Sequence, residues 1–157
     1  MTSKYRPKMQ INLGRVMADQ GGLNLYAQIS EAITATTTNR TLGAAPFAGS
    51  VKNVWISVGA SGKDDAQTLS VEANVKINGT DCLSTKPKIA HVSGEVSQQK
   101  TTYNSLDTGI TEAVLNTSVC TFNAGDVFTY GFEIVRAPSP TTEIQAPCLV
   151  VELLPAK

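Results

Sequence analysis

Leu69, Val71, Ala73, Val75 and Ile77 alternate with Ser70, Glu72, Asn74 and Lys76, and Asn78-Gly79 follows at once. No other feature narrows the fold as far. A period of two places the apolar residues on one face of an extended strand and the polar ones on the other. Asn-Gly tolerates positive φ at both positions of a two-residue turn, so this strand predicts a tight hairpin at its end. A second strand reads over 127–136, with Phe128, Tyr130, Phe132 and Ile134 on one face, introduced by the turn Asn123-Ala124-Gly125-Asp126. Val54, Ile56 and Val58 mark a third strand. Residues 148–154 mark a fourth, apolar on both faces at 149–151. Weaker runs at 82–85, 88–96, 110–115 and 117–122 bring the expected number to about eight. Residues 59–65 and 138–142 read as loops from their Gly, Ser, Asp and Pro content.

Short strands at this spacing, with turns between them, predict an all-β fold: an antiparallel β-sandwich of the eight-stranded jelly-roll kind over residues 49–157. The 157-residue chain suits one such domain. At that size a fold buries roughly 68–70% of its unfolded surface and needs no metal or disulfide staple.

Residues 1–48 read differently, as an N-terminal arm and connector. Lys4, Arg6, Lys8 and Arg15 precede the first acid, Asp19. The rest of the chain holds nine basic and thirteen acidic residues. Met9, Ile11, Leu13, Val16 and Met17 are apolar, and Pro7 and Gly14 interrupt them, so an extended path is expected there. Leu25, Ile29 and Ile33 recur at helical spacing and predict a short helix within 23–33, followed by a Thr-rich connector over 34–41. A basic, partly apolar terminus opposite an acidic body can pack on its own sandwich or dock on another chain. On the docking reading the partner-binding residues are Lys4, Tyr5, Arg6, Lys8, Met9, Ile11, Leu13, Arg15 and Met17.

Composition removes several function classes. Thirteen basic and thirteen acidic residues leave no net charge, which argues against nucleic acid as a partner. Scarce charge, 17% against the usual ~25%, favours self-association. No run approaches the ~18 apolar residues of a membrane span, so no membrane partner is expected. Met1-Thr2-Ser3-Lys4 opens no apolar signal segment, which predicts a soluble protein made in the cytosol. There is one histidine, His91, and the cysteines Cys82, Cys120 and Cys148 form no C-x-x-C pair. G-x-S-x-G, Walker-type and H-E-x-x-H motifs are missing as well. No catalytic residue, cofactor or metal site is therefore assigned, and an enzyme is not expected.

Single residues read accordingly. His91 takes a structural role in a strand, its polar atoms satisfied by backbone bonds. The cysteines are small buried thiols, reduced in the cytosol. Trp55 falls on the strand face opposite Val54, Ile56 and Val58, which favours a face covered by the arm, a neighbour or an interface over a sugar-stacking role. Asp64-Asp65 lacks the spacing of a calcium loop and belongs to a solvated one.

The C-terminal third adds a likeness. Asn123-Ala124-Gly125-Asp126-Val127-Phe128, Phe132-Glu133-Ile134-Val135-Arg136, the Ser139-Pro140-Thr141 loop and Leu149-Val150-Val151-Glu152-Leu153 resemble the ending of many virion structural proteins of tailed bacteriophages. Val75-Lys76-Ile77-Asn78-Gly79-Thr80 and Lys86-Pro87-Lys88-Ile89 look like the same group. The resemblance spans about 51–153. It implies a small jelly roll that decorates or cements a capsid by binding the major capsid protein, as a homotrimer on the capsid surface of the virion. A receptor- or carbohydrate-binding module of a tail fibre is the alternative, with loops 59–65 and 99–107 carrying specificity. A cupin-like enzyme on the same barrel is disfavoured by the single imidazole. An exposed aromatic cluster on loops would favour the binding module, whereas an apolar arm favours cement.

Overall fold

In the computed structural model, which describes residues 22–157, every regular element is a β-strand. In chain order they are β1 (Leu23–Gln28), β2 (Arg40–Ala44), β3 (Gly49–Val58), β4 (Ser70–Ile77), β5 (Thr80–Asp81), β6 (Leu83–Thr85) and β7 (Lys88–Ala90). They continue with β8 (Lys100–Thr101), β9 (Ile110–Thr111), β10 (Val114–Leu115), β11 (Thr121–Phe122), β12 (Val127–Val135) and β13 (Cys148–Pro155). The four strands read most clearly from alternation are β3, β4, β12 and β13. The weaker runs survive only as pieces of two or three residues.

Two antiparallel sheets face each other. The first runs β1-β13-β3-β11, with β8 also on β3. The second runs β2-β12-β4-β7-β9, with β5 also on β4, and β6 and β10 form a separate pair. The long strands come as two consecutive pairs, β3–β4 and β12–β13, and each pair contributes one strand to each sheet. β13 lies on β3 and β12 on β4. This nested pairing is the winding of a jelly-roll sandwich. The faces that meet carry Val54, Ile56, Leu149, Val151 and Leu153 from one sheet and Val71, Ala73, Val75, Phe128 and Phe132 from the other, all buried. Phe122 stands edge-on to Phe128 at a centroid separation of 5.3 Å and closes one end of the core. The hairpin after β4 forms as its sequence requires, with φ of 48° at Asn78 and 84° at Gly79.

The short helix expected around Leu25, Ile29 and Ile33 does not form. Leu23–Gln28 is strand β1, paired along its whole length with β13. Leu23, Leu25 and Ala27 also alternate, and they turn toward the core while Tyr26 and Gln28 stay exposed. Pairing with a strand that is apolar on both faces outweighs a weak helical spacing. The expected division at residue 48 likewise falls inside the sandwich, because β1 and β2 precede it and each pairs into a sheet.

The Thr-rich connector has a defined task. β2 pairs with β12 only as far as Tyr130. Beyond that point the Thr37 Oγ1 accepts from the Phe132 N–H at 3.1 Å and the Thr36 Oγ1 from the Ile134 N–H at 3.2 Å. The Thr37 N–H donates to the Phe132 carbonyl at 2.8 Å. Threonine hydroxyls thus occupy an edge that would otherwise present unpaired backbone groups. The approach is close enough that a Cβ on Gly131 would lie 2.5 Å from the Thr37 carbonyl oxygen.

Candidate functional site

The residues proposed to bind a partner from the sequence, Lys4, Tyr5, Arg6, Lys8, Met9, Ile11, Leu13, Arg15 and Met17, lie outside the described residues. The described residues offer a different surface. Register across the first sheet sets Tyr26 of β1 opposite Val150 of β13, and Val150 opposite Trp55 of β3. These three share the outer face, away from the core. Tyr103, just beyond β8, extends the row, its ring 4.8 Å from that of Trp55 and tilted by 53°. Tyr26 is 63% exposed and Tyr103 46%, whereas Val150 between the rings is only 5% exposed. Trp55 is half-buried, on the face its sequence position indicated.

Polar rows flank this apolar one. On one side stand Asn24, Glu152 and Asn53, with Lys52 2.9 Å from Glu152. On the other stand Gln28, Cys148, Ser57 and Thr101, the last two hydrogen-bonded at 2.9 Å. An aromatic centre inside a polar rim is the usual composition of a protein-binding patch. Trp55 was legible as an outward residue. Tyr26 and Tyr103 were not, because only register places them beside it.

A second cluster ties the loops at one end of the sandwich. The Lys100 side chain is fully buried, and its ammonium donates to the Glu95 Oε2 at 2.7 Å and the Thr108 carbonyl at 2.9 Å. The Asp107 Oδ1 lies 3.9 Å away. The Thr108 hydroxyl also donates to Glu95. Lys100 first, then Thr108, holds the Glu95 carboxyl below its ordinary range. Burial of a lysine is tolerable only with such compensation.

Nearby, Asp65 accepts from the Gly94 N–H at 2.8 Å and shares a hydrogen bond with the His91 Nε2 at 2.9 Å. These bonds, the Gly94 amide foremost, lower the Asp65 pKa to about 2. The His91 side chain is 1% exposed, and its Nδ1 has no hydrogen-bond partner among the described residues. His91 is therefore a structural tie, but to a carboxylate and not to backbone as its strand position led us to expect. Asp64 also departs from the solvated-loop expectation. It is buried, and its Oδ1 accepts from the Ala66 and Gln67 N–H groups at 3.2 and 3.1 Å. Above these ties, Val96 and Leu106 stand exposed on the loops.

The outer face of the second sheet carries a cleft of about 200 Å³ between the 36–39 segment and β12, lined by Lys76, Lys86, Asn74 and Glu133 among others. Lys86 is already neutralised there by Glu72 and Glu133, each at 3.1 Å. Among the described residues no group of three or more His, Cys, Asp or Glu side chains is placed to hold a metal ion.

No family model matches the chain, and no curated protein does. Among solved structures it is similar to the crystal structure of FlhE, at 11% identity and a TM-score of 0.37, over 85% of this chain and 98% of that one. It is also similar to the structure of Eiger TNF from S. frugiperda, at 9% identity and a TM-score of 0.30, over 85% and 95%. Likenesses this distant bear neither on the fold nor on function.

Proposed function

We propose that the protein is a structural subunit of a tailed-phage virion that docks on the major capsid protein and cements the shell, without catalysis. The observation that carries this reading is the polar-rimmed aromatic row Tyr26–Val150–Trp55–Tyr103, an outer face of low charge on an otherwise well-packed sandwich. Aromatic side chains that leave the core yet pack on one another supply contact area at little entropic cost. The basic, apolar residues within 1–20, which lie outside the described residues, supply a second candidate attachment segment in the sequence. Two modest contacts on one chain, repeated over a shell, sum through multivalency. Low charge further supports a homotrimer, a closed ring in which one surface of each copy meets a different surface of the next.

A second reading, a receptor- or glycan-binding module of a tail fibre, draws on one different observation. Val96, Tyr103 and Leu106 are exposed on loops that hydrogen bonds from Lys100 to Glu95 and from Gly94 to Asp65 tie together. The 53° tilt between the Trp55 and Tyr103 rings disfavours a flat stacking platform for sugars, so the cement reading is preferred.

Sedimentation of purified full-length protein with DNA-free heads separates the two. Cement protein pellets with the heads and saturates at a fixed ratio to capsid subunits. Absence from the pellet, with binding to host cells or their surface glycans, would establish the fibre module instead.

A further inference from the structure

Cys82 and Cys120 lie 38 residues apart in sequence, yet their Sγ atoms are 3.5 Å from each other inside the core. The two residues are 0% and 5% exposed. Their backbones belong to opposite sheets. The Cys82 N–H donates to the Val75 carbonyl of β4 at 2.9 Å, whereas the Cys120 carbonyl accepts from the Val51 N–H of β3 at 2.8 Å. A further bond, from the Asn116 N–H to the Cys82 carbonyl at 2.8 Å, holds the turn before β11 against the link between β5 and β6. Both main chains are thus fixed with the sulfurs already in contact. The sulfurs must approach by a further ~1.5 Å to reach a bond of ~2.05 Å. Cys148 is the internal control: it sits on the outer face of β13, and its sulfur makes only a long hydrogen bond, to the Leu149 carbonyl at 3.9 Å, and none to another thiol.

We propose that Cys82 and Cys120 are a disulfide site that cross-links the two sheets when the chain folds under oxidising conditions. Each thiol gives up its hydrogen as the S–S bond forms. A small-molecule disulfide, such as oxidised glutathione, takes the two electrons and two protons and is released as two thiols. The assignment stands on the geometry of the pair and is independent of the capsid reading. Burial, with Cys120 alongside, pushes the Cys82 thiol up, so exchange in the folded protein is slow and the bond forms most readily during folding.

The test refolds reduced full-length protein in a glutathione redox buffer and, in parallel, in excess dithiothreitol. Each sample is then alkylated under denaturing conditions and weighed. The oxidised sample should carry one alkyl group, on Cys148, and its tryptic map should join the peptides containing Cys82 and Cys120. Its melting temperature should exceed that of the reduced sample by about 5–10 °C, because a cross-link across a long loop restricts the unfolded chain. Cys148→Ser should leave this result unchanged. Three alkylated thiols after oxidative refolding, a bridge that includes Cys148, glutathione left on Cys82 or Cys120, or a bridged protein that melts below the reduced one would each overturn the assignment.

Discussion

Lys100 shows what one buried charge demands of its surroundings. Its ammonium is enclosed by Glu95, the Thr108 carbonyl and Asp107, while both carboxylates keep access to water, so removing it leaves the Thr108 carbonyl without its donor and a gap beneath partly solvated acids. Leaving a buried hydrogen-bonding group without its partner costs about 1–3 kcal/mol. Lys100→Ala should therefore lower the melting temperature by about 3–6 °C, measured by calorimetry at neutral pH. Asp65 gives the corresponding prediction for pH. Its folded pKa, about 2, lies below the ordinary aspartate value of 3.8. A depressed carboxylate stabilises the fold above its unfolded pKa, and that stabilisation is lost as pH falls through the folded value. The wild-type protein should lose stability between about pH 4 and pH 2, and Asp65→Asn should flatten that part of the profile in acid titrations followed by fluorescence. An unchanged acid limb would remove Asp65 from the loop tie. None of these partnerships was legible beforehand. Asp65 and His91 are 26 positions apart and Cys82 and Cys120 are 38, and nothing in composition couples residues across such distances.

At the level of elements, the edge of β12 is the informative case. Its outer half is capped by Thr36 and Thr37, with the Thr37 carbonyl seated over Gly131. Gly131→Ala should push the connector off the edge and destabilise the protein by about 1–3 kcal/mol, as overpacking does. Thr37→Val, of nearly the same shape, should cost about 1 kcal/mol by leaving the Phe132 amide without its acceptor. Hydrogen exchange should report faster opening of the Phe132 and Ile134 amides in both variants, with β4 unaffected. The long strands β3, β4, β12 and β13 were legible because each is long enough for a period of two to show, and a recognisable turn bounds two of them. β1 was misread as helix because Leu25 belongs both to the alternation Leu23, Leu25, Ala27 and to the helical spacing Leu25, Ile29, Ile33, and only the partner strand decides between them. The pieces from β5 to β11 are two or three residues long, too short for any period to show.

For the whole molecule, one face of the first sheet closes the core, and under the proposed function the opposite face meets a neighbour. Both faces of β13 are buried around Val150, the inner one in the core and the outer one under aromatic rings, although Val150 points away from the core. That burial explains why this segment is apolar on consecutive positions, a pattern the sequence displays without showing what covers it. The expected trimer is checked by sedimentation equilibrium at tens of micromolar, where a single species of three times the 16.6 kDa chain mass should dominate.

The most direct measurement of the central claim is head occupancy of a face variant. Trp55→Ser with Tyr103→Ser removes the two touching rings from the outer face and leaves Val54, Ile56 and the rest of the buried set in place. Central aromatic residues of an interface each contribute about 2 kcal/mol or more. Binding of the full-length double variant to DNA-free heads, titrated by quantitative co-sedimentation beside the wild type, should weaken at least tenfold while its circular dichroism stays that of a folded β-sandwich. A folded variant that saturates heads at the wild-type concentration would contradict the account.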